Sequence, residues 1–183
     1  MNFQINDIIL FILILISAYF DITKKKIPNF ITLPVILWGL LTYTIFDGLA
    51  GLRFSGFGFL VGLAVFLIPF ILGGMGGGDV KLMAAIGALK GWRFILYTTV
   101  FTGLAGGIIV LLILIKEKRL LITLKRVLAI VLKPIMLVLT LTFENKKLKL
   151  FNNWRLDSQI NWEKQYIPYG VAIGIGAIVT LLI

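Results

Sequence analysis

Asp21 and Asp79 are the residues of this chain best placed to do chemistry. Asp21 stands in Tyr19-Phe20-Asp21-Ile22-Thr23-Lys24-Lys25-Lys26-Ile27-Pro28-Asn29 and Asp79 in Gly76-Gly77-Gly78-Asp79-Val80-Lys81, each where a long apolar run ends. A carboxylate at a membrane boundary is costly to desolvate, so a pair able to meet between helices marks a functional site. Two nearby carboxylates in low dielectric resist double ionisation and can share a proton, one acting as base on water and the other as acid. Their titration belongs to the pair. The chemistry this suggests is aspartyl proteolysis. The chain contains neither cysteine nor histidine, which removes disulfides, thiol nucleophiles, imidazole bases and the usual zinc ligands together. No metal and no other cofactor is expected.

The elements that must carry these residues are membrane helices. Of the 183 residues 60% are hydrophobic and 14% charged, with a mean hydropathy of +1.04, too little polar surface to cover a soluble globule of this size. Apolar runs lie at 8–20, 30–46, 57–72, 80–89, 94–115 and 167–183. Against an ordinary span of roughly 20 residues these predict an all-α integral membrane protein of six transmembrane helices. The fourth is short, as a helix entering a water-accessible cavity below the membrane surface would be. The first run has no basic n-region and no small-residue cleavage site, so it reads as a retained span rather than a signal peptide. The whole chain, 1–183, reads as a single polytopic domain with an insertion at 116–165.

Basic residues orient this bundle. With the loops after helices 1, 3 and 5 in the cytoplasm, fifteen of the eighteen Lys and Arg lie inside; only Arg53, Lys90 and Arg93 lie outside. Both termini then face outward, and Asp21 and Asp79 share the cytoplasmic side. A net charge of +10 in such a chain marks sidedness rather than nucleic-acid binding. The stretch 127–142 is apolar but interrupted by Lys133-Pro134 and flanked by Lys125, Arg126, Lys146, Lys147 and Lys149. It reads as an interfacial helix between helices 5 and 6, with lysines against anionic lipid. The polar stretch 143–165 continues it, with Trp154 and Trp162 at headgroup level.

Plainer readings stand beside these. Asp21 could pair with Lys24 or Lys25 as a boundary residue. The run Gly73-Gly74-Met75-Gly76-Gly77-Gly78 lacks the Gly-Lys-Ser/Thr of a phosphate loop, and its glycines instead suit close passage of an extended substrate beside Asp79. Lys81 could tune the pair or snorkel to lipid headgroups. The pairs Gly58/Gly62, Gly103/Gly107 and Gly170/Gly174 read as tight helix packing. Asp7 and Asp47 fall outside, and Glu117, Glu144, Asp157 and Glu163 lie in basic surroundings suited to solvated pairing.

Three segments taken in order resemble the type IV prepilin peptidases and the related preflagellin peptidases, membrane aspartyl proteases of the G-x-G-D type. They are Asp21 with its lysines and Ile27-Pro28-Asn29, the block from Gly76 to Gly87, and Ile167-Pro168-Tyr169-Gly170-Val171-Ala172-Ile173-Gly174. The resemblance implies that Asp21 and Asp79 are the catalytic dyad. It places Gly76, Gly77, Gly78, Lys81, Pro28, Asn29, Pro168, Tyr169 and Gly170 in substrate-binding or active-site loops. It implies cleavage, in the cell membrane and on its cytoplasmic side, of a short leader from a pilin-like or flagellin-like precursor just before its hydrophobic helix. The longest family members carry an N-terminal cysteine-containing segment and also N-methylate their product. With only twenty residues before Asp21 and no cysteine, the short peptidase-only form is expected here, without methyltransferase activity or an S-adenosylmethionine site. A small carboxylate-based membrane transporter and a non-catalytic secretion-assembly subunit are the alternatives from other classes.

Overall fold

The computed structural model describes residues 3–124 and 168–183, together with Leu128 and Leu132. The elements among these described residues are all helical: α1 (Phe3–Lys24), α2 (Asn29–Ile71), α3 (Gly77–Lys116) and α4 (Tyr169–Leu182). The first three are long and apolar enough to cross a membrane, and α4 is a shorter apolar helix of 14 residues. The interfacial segment expected at 127–142 and the polar stretch at 143–165 lie outside the described residues, apart from Leu128 and Leu132.

Helix α2 runs through 47–56, where the hydropathy pattern predicts a loop, but it is not straight. Gly48 has φ 59° and ψ −138°, a conformation that glycine adopts without the Cβ penalty of other residues. In a straight helix Tyr43 and Phe54 would be about 16 Å apart along the axis. Their ring centroids are 5.0 Å apart, so the chain doubles back at this one residue. Gly91 (φ 79°, ψ 175°) does the same to α3. A Cβ on Gly87 would lie 3.1 Å from Ile95 Cγ1, eight positions on, where a straight helix sets about 12 Å. Both elements are therefore helical hairpins with single-glycine corners.

The arm of α3 before Gly91 is the centre of the core. Every residue from Leu82 to Leu89 is buried. This is the short fourth helix of the sequence reading, and protein sheathes it on all sides where a water-accessible cavity was expected. The composition explains why: Ala84, Ala85, Gly87 and Ala88 let neighbouring backbones come close, while Leu82, Met83, Ile86 and Leu89 fill the remaining space. Both arms of α2 pack on it. A methyl on Gly39 would lie 2.7 Å from the Ala88 carbonyl oxygen, one on Gly58 would strike the Gly87 carbonyl, and one on Gly62 the Met83 carbonyl. Ser55, fully buried, donates across the same interface to Ala88 O at 2.8 Å.

Helix α1 adds an amphipathic stripe in which Asn6, Leu10, Leu13, Ile14, Ser17 and Asp21 are buried at helical spacing, while Ile8, Phe11, Leu15, Tyr19 and Ile22 face outward. Outward-facing large apolar side chains recur on every helix, as a lipid-facing surface requires. Gly174 of α4 meets this stripe, since a Cβ there would sit 2.8 Å from Ile14 Cγ2. Two of the three glycine pairs thus serve close packing. Gly103 and Gly107 do not: among the described residues nothing comes within 4 Å of a Cβ built on either, which corrects that reading. Spacing marks a flat helix face without saying whether a neighbour covers it.

The chain forms two compact units, Met1–Ile109 with Tyr166–Ile183, and Val110–Gln165. The first holds every candidate site residue that is described. In the second, Arg119 Nη1 lies 3.7 Å from Glu117 Oε2, an ion pair of the solvated kind expected for Glu117.

Candidate active site

Asp21 lies in the last turns of α1, and Asp79 in the first turn of α3. Although both stand at helix ends, they are 3% and 7% exposed, so neither is a solvated surface carboxylate. They are close enough for the charge of Asp21 to act on Asp79.

Each carboxylate is held by a backbone N–H at a helix N-terminus. Asp79 Oδ2 accepts from Gly76 N–H at 3.1 Å, reaching back from the third helical position to the residue that precedes α3, as the acid of a capping box does. The orphan N–H groups and dipole of the first turn favour the negative charge there. Asp21 performs the corresponding service for another helix. The residue before α4 is Pro168, which makes no side-chain cap, and Asp21 Oδ2 accepts from Gly170 N–H at 2.7 Å in a fully buried contact. Hydrogen bonds from N–H to carboxylate are among the stronger kind and fix the orientation of each group. They also leave little slack. A Cβ on Gly170 would lie 2.8 Å from Asp21 Oδ2 and 2.9 Å from its Cγ, so only glycine admits the carboxylate here.

The link between α1 and α2 completes the floor. Lys25 takes φ 53° and donates its N–H to Asp21 O at 3.1 Å, turning the chain out of α1. Ile27 then buries against the start of α3. A Cβ on Gly78 would lie 3.0 Å from Ile27 Cβ and 3.1 Å from Ile27 O. The closeness that Gly78 permits is therefore used by the protein's own chain, and Gly77 likewise faces the Phe70 ring at 3.4 Å. The glycines with open surroundings are earlier in the run: Gly73 (φ 76°) has nothing within 4 Å of a built Cβ, and Gly74 only Pro69 O at 3.5 Å.

The other expected residues lie around the two aspartates and on the rim beside them. Pro28 and Pro168 immediately precede α2 and α4. On the exposed rim Lys81 Nζ donates to Asn29 Oδ1 at 2.8 Å, tying α3 to α2. Neither role foreseen for Lys81, tuning the pair or snorkelling to headgroups, anticipates this clamp, which joins residues 52 positions apart. Lys24 lies over the Phe20 ring, 5.0 Å from its centroid. Tyr169 stands beside α3, its Cε1 4.0 Å from a Cβ built on Gly106.

A second polar cluster was not foreseen. Lys90 Nζ pairs with Asp7, with the two side chains only 8% and 19% exposed. Nearby, Asn6 Nδ2 donates to Tyr43 Oη at 3.2 Å, and Tyr43 Oη donates to Leu89 O at 3.0 Å. This network ties α1, α2 and α3 together at the Gly91 corner. Among the described residues no group of three or more Asp, Glu, His or Cys could hold a metal ion.

The family model of the type IV leader peptidase family matches residues 8–111, more than half of the chain. The chain is similar to the prepilin leader peptidase/N-methyltransferase of Aeromonas hydrophila, with 32% identity over 96 residues, 49% of this chain and 33% of that protein. Identity to the protein of the same name from Aeromonas salmonicida (strain A449) is 33% over 98 residues, covering 50% and 33%. For that of Pseudomonas aeruginosa it is 32% over 102 residues, covering 52% and 35%. The matched region thus spans about a third of the length of these relatives. No solved structure matches.

Proposed function

We propose, because this chain belongs to the type IV leader peptidase family, that it is a membrane aspartyl endopeptidase whose dyad is Asp21 and Asp79. The observation that carries the reading is the burial of two carboxylates, one from α1 and one from α3, in the same compact unit. Each is oriented by a backbone N–H, which suits groups that must present a defined oxygen to a substrate. In this reading α1, the two arms each of α2 and α3, and α4 are six crossings, and the excess of Lys and Arg on one side supports a dyad at the cytoplasmic surface with both termini outside.

The substrate is a pilin-like precursor whose short leader is removed just before its hydrophobic helix. A water oxygen attacks the scissile carbonyl carbon while one carboxylate takes the water's proton. The other carboxylate gives its proton to the leaving nitrogen as the C–N bond breaks, and the pair ends with the proton count it began with. The precursor's apolar helix lies in the bilayer beside the glycine loop, and anionic lipid concentrates both partners on one leaflet.

The test is incubation of the purified full chain, in vesicles, with precursors of this design, followed by sequencing of the product's new N-terminus. Release of the leader at one bond, by the wild type and not by Asp79→Asn, is the expected result. Ion flux across the vesicles without any cleavage would replace this reading with transport.

A further inference from the structure

The buried stripe of α1 carries one polar group, one turn from Asp21, that the geometry so far leaves unused. Ser17 is fully buried (0% exposed), and its Oγ has no hydrogen-bond partner among the described residues. Several hydroxyls in these helices close on the carbonyl four residues back, Thr23 on Tyr19 O, Thr44 on Leu40 O, Thr99 on Ile95 O and Thr180 on Gly176 O, whereas Thr32 and Thr102 are, like Ser17, buried and unpartnered. Ser17 does not close in this way, although helix geometry sets the Leu13 carbonyl at the same relative position. Its hydroxyl is held out of the helix's own bonding, and a buried hydroxyl left unpartnered carries the full penalty of its desolvation.

Register says what completes it. Ser17 and Asp21 are four residues apart on one face, so their Cβ atoms are about 5–6 Å apart. Side chains on a helix tilt toward its N-terminus, so the Asp21 carboxylate leans along α1 toward Ser17. A gap of this size is bridged by one water making two hydrogen bonds of about 2.8 Å. We propose that Ser17 Oγ and the Asp21 carboxylate hold between them the water that attacks the scissile carbonyl, which makes Ser17 a positioning residue of the hydrolysis. The water gives one hydrogen bond to each oxygen and keeps a lone pair for the carbonyl carbon. Its proton then passes to Asp21, Asp79 protonates the departing nitrogen, and Ser17 neither gains nor loses a proton. This rests on the peptidase reading above and assigns the base and acid roles within it.

Thr32 supplies the control, being buried and unpartnered in the same way but standing on α2, which carries neither aspartate. Rates and thermal unfolding are measured for the full chain in vesicles with a precursor whose short leader stands just before an apolar helix. Ser17→Ala and the volume-keeping Ser17→Cys are expected to lower kcat about 10- to 100-fold with KM and Tm unchanged, the size of a misplaced reactant. Ser17→Thr, which keeps a hydroxyl on Cβ, recovers part of the loss, and Thr32→Val leaves kcat as it was. If the wild type cuts and both Ser17→Ala and Ser17→Cys cut at its rate, this inference falls and the peptidase reading stands. If kcat falls equally in Thr32→Val, the effect is one of packing and the inference again falls. A wild-type chain that cuts no such precursor overturns both readings together.

Discussion

The two carboxylates of the proposed dyad each accept from an N–H at a helix N-terminus, and this makes individual atoms testable. Asp21→Asn and Asp79→Asn keep the shape and most of the hydrogen bonding but cannot exchange a proton. Each is expected to lower the cleavage rate by on the order of 10²–10⁴ without loss of membrane insertion, read by initial rates alongside membrane extraction. Gly170 offers a subtler probe, since its contribution is an N–H and the lack of a side chain. Gly170→Ala keeps the donor but sets a methyl carbon 2.8 Å from Asp21 Oδ2, so the carboxylate must move. A displacement near 1 Å predicts a fall in kcat of roughly a hundredfold. An alanine variant as active as the wild type would mean that Asp21 has freedom this contact does not suggest.

Among the elements, the helical hairpins depend on a few points of backbone contact, and those points distinguish glycines that look alike in the sequence. Gly58→Ala drives a methyl into the Gly87 carbonyl, a rigid backbone atom, and should cost about 1–3 kcal/mol by overpacking. Gly103→Ala meets nothing and should be neutral or up to about 1 kcal/mol stabilising through helix propensity. Thermal unfolding of the two variants in one detergent gives the comparison directly. The Asp7–Lys90 pair acts at the other end of the central arm, where both side chains are mostly buried. Removing one partner leaves a buried charge, so Asp7→Asn should cost about 3 kcal/mol, while Asp7→Asn with Lys90→Met recovers most of that loss. Equal Tm values for the single and double variants would show that the pair is not coupled.

For the molecule as a whole, sidedness is the property to test. Because the chain is cysteine-free, single cysteines report cleanly. A cysteine at Lys25 or Lys147 is expected to be shielded from impermeant thiol reagents in intact cells, and one at the exposed Ala50 to label, Gly51 beside it being buried against the Tyr43 carbonyl. Labelling at Lys147 would mean that the stretch 127–142 crosses the membrane, and the basic residues around it would then need another account. Fifteen of eighteen Lys and Arg on one side argue for the arrangement proposed.

Hydropathy and local chemistry determined much of this protein before any folding was considered. The apolar runs specify membrane helices because a bilayer-length hydrophobic stretch has few other stable conformations. The Gly-rich run ending in Asp79 and the lysines after Asp21 single out two candidate carboxylates because each signal lies within a few residues of sequence, and the absence of Cys and His from the whole chain removes the competing chemistries. What only the tertiary structure decided involves partners far apart in the chain. Spacing alone does not reveal that Gly58 meets Gly87 while Gly103 meets nothing among the described residues, that Lys90 finds Asp7, or that Lys81 clamps Asn29. Nor does it reveal that Gly170, 149 positions away, receives Asp21. Glycines appear throughout these helices, and only three-dimensional packing determines which of them turns a corner, which admits a neighbouring backbone and which holds a carboxylate in place.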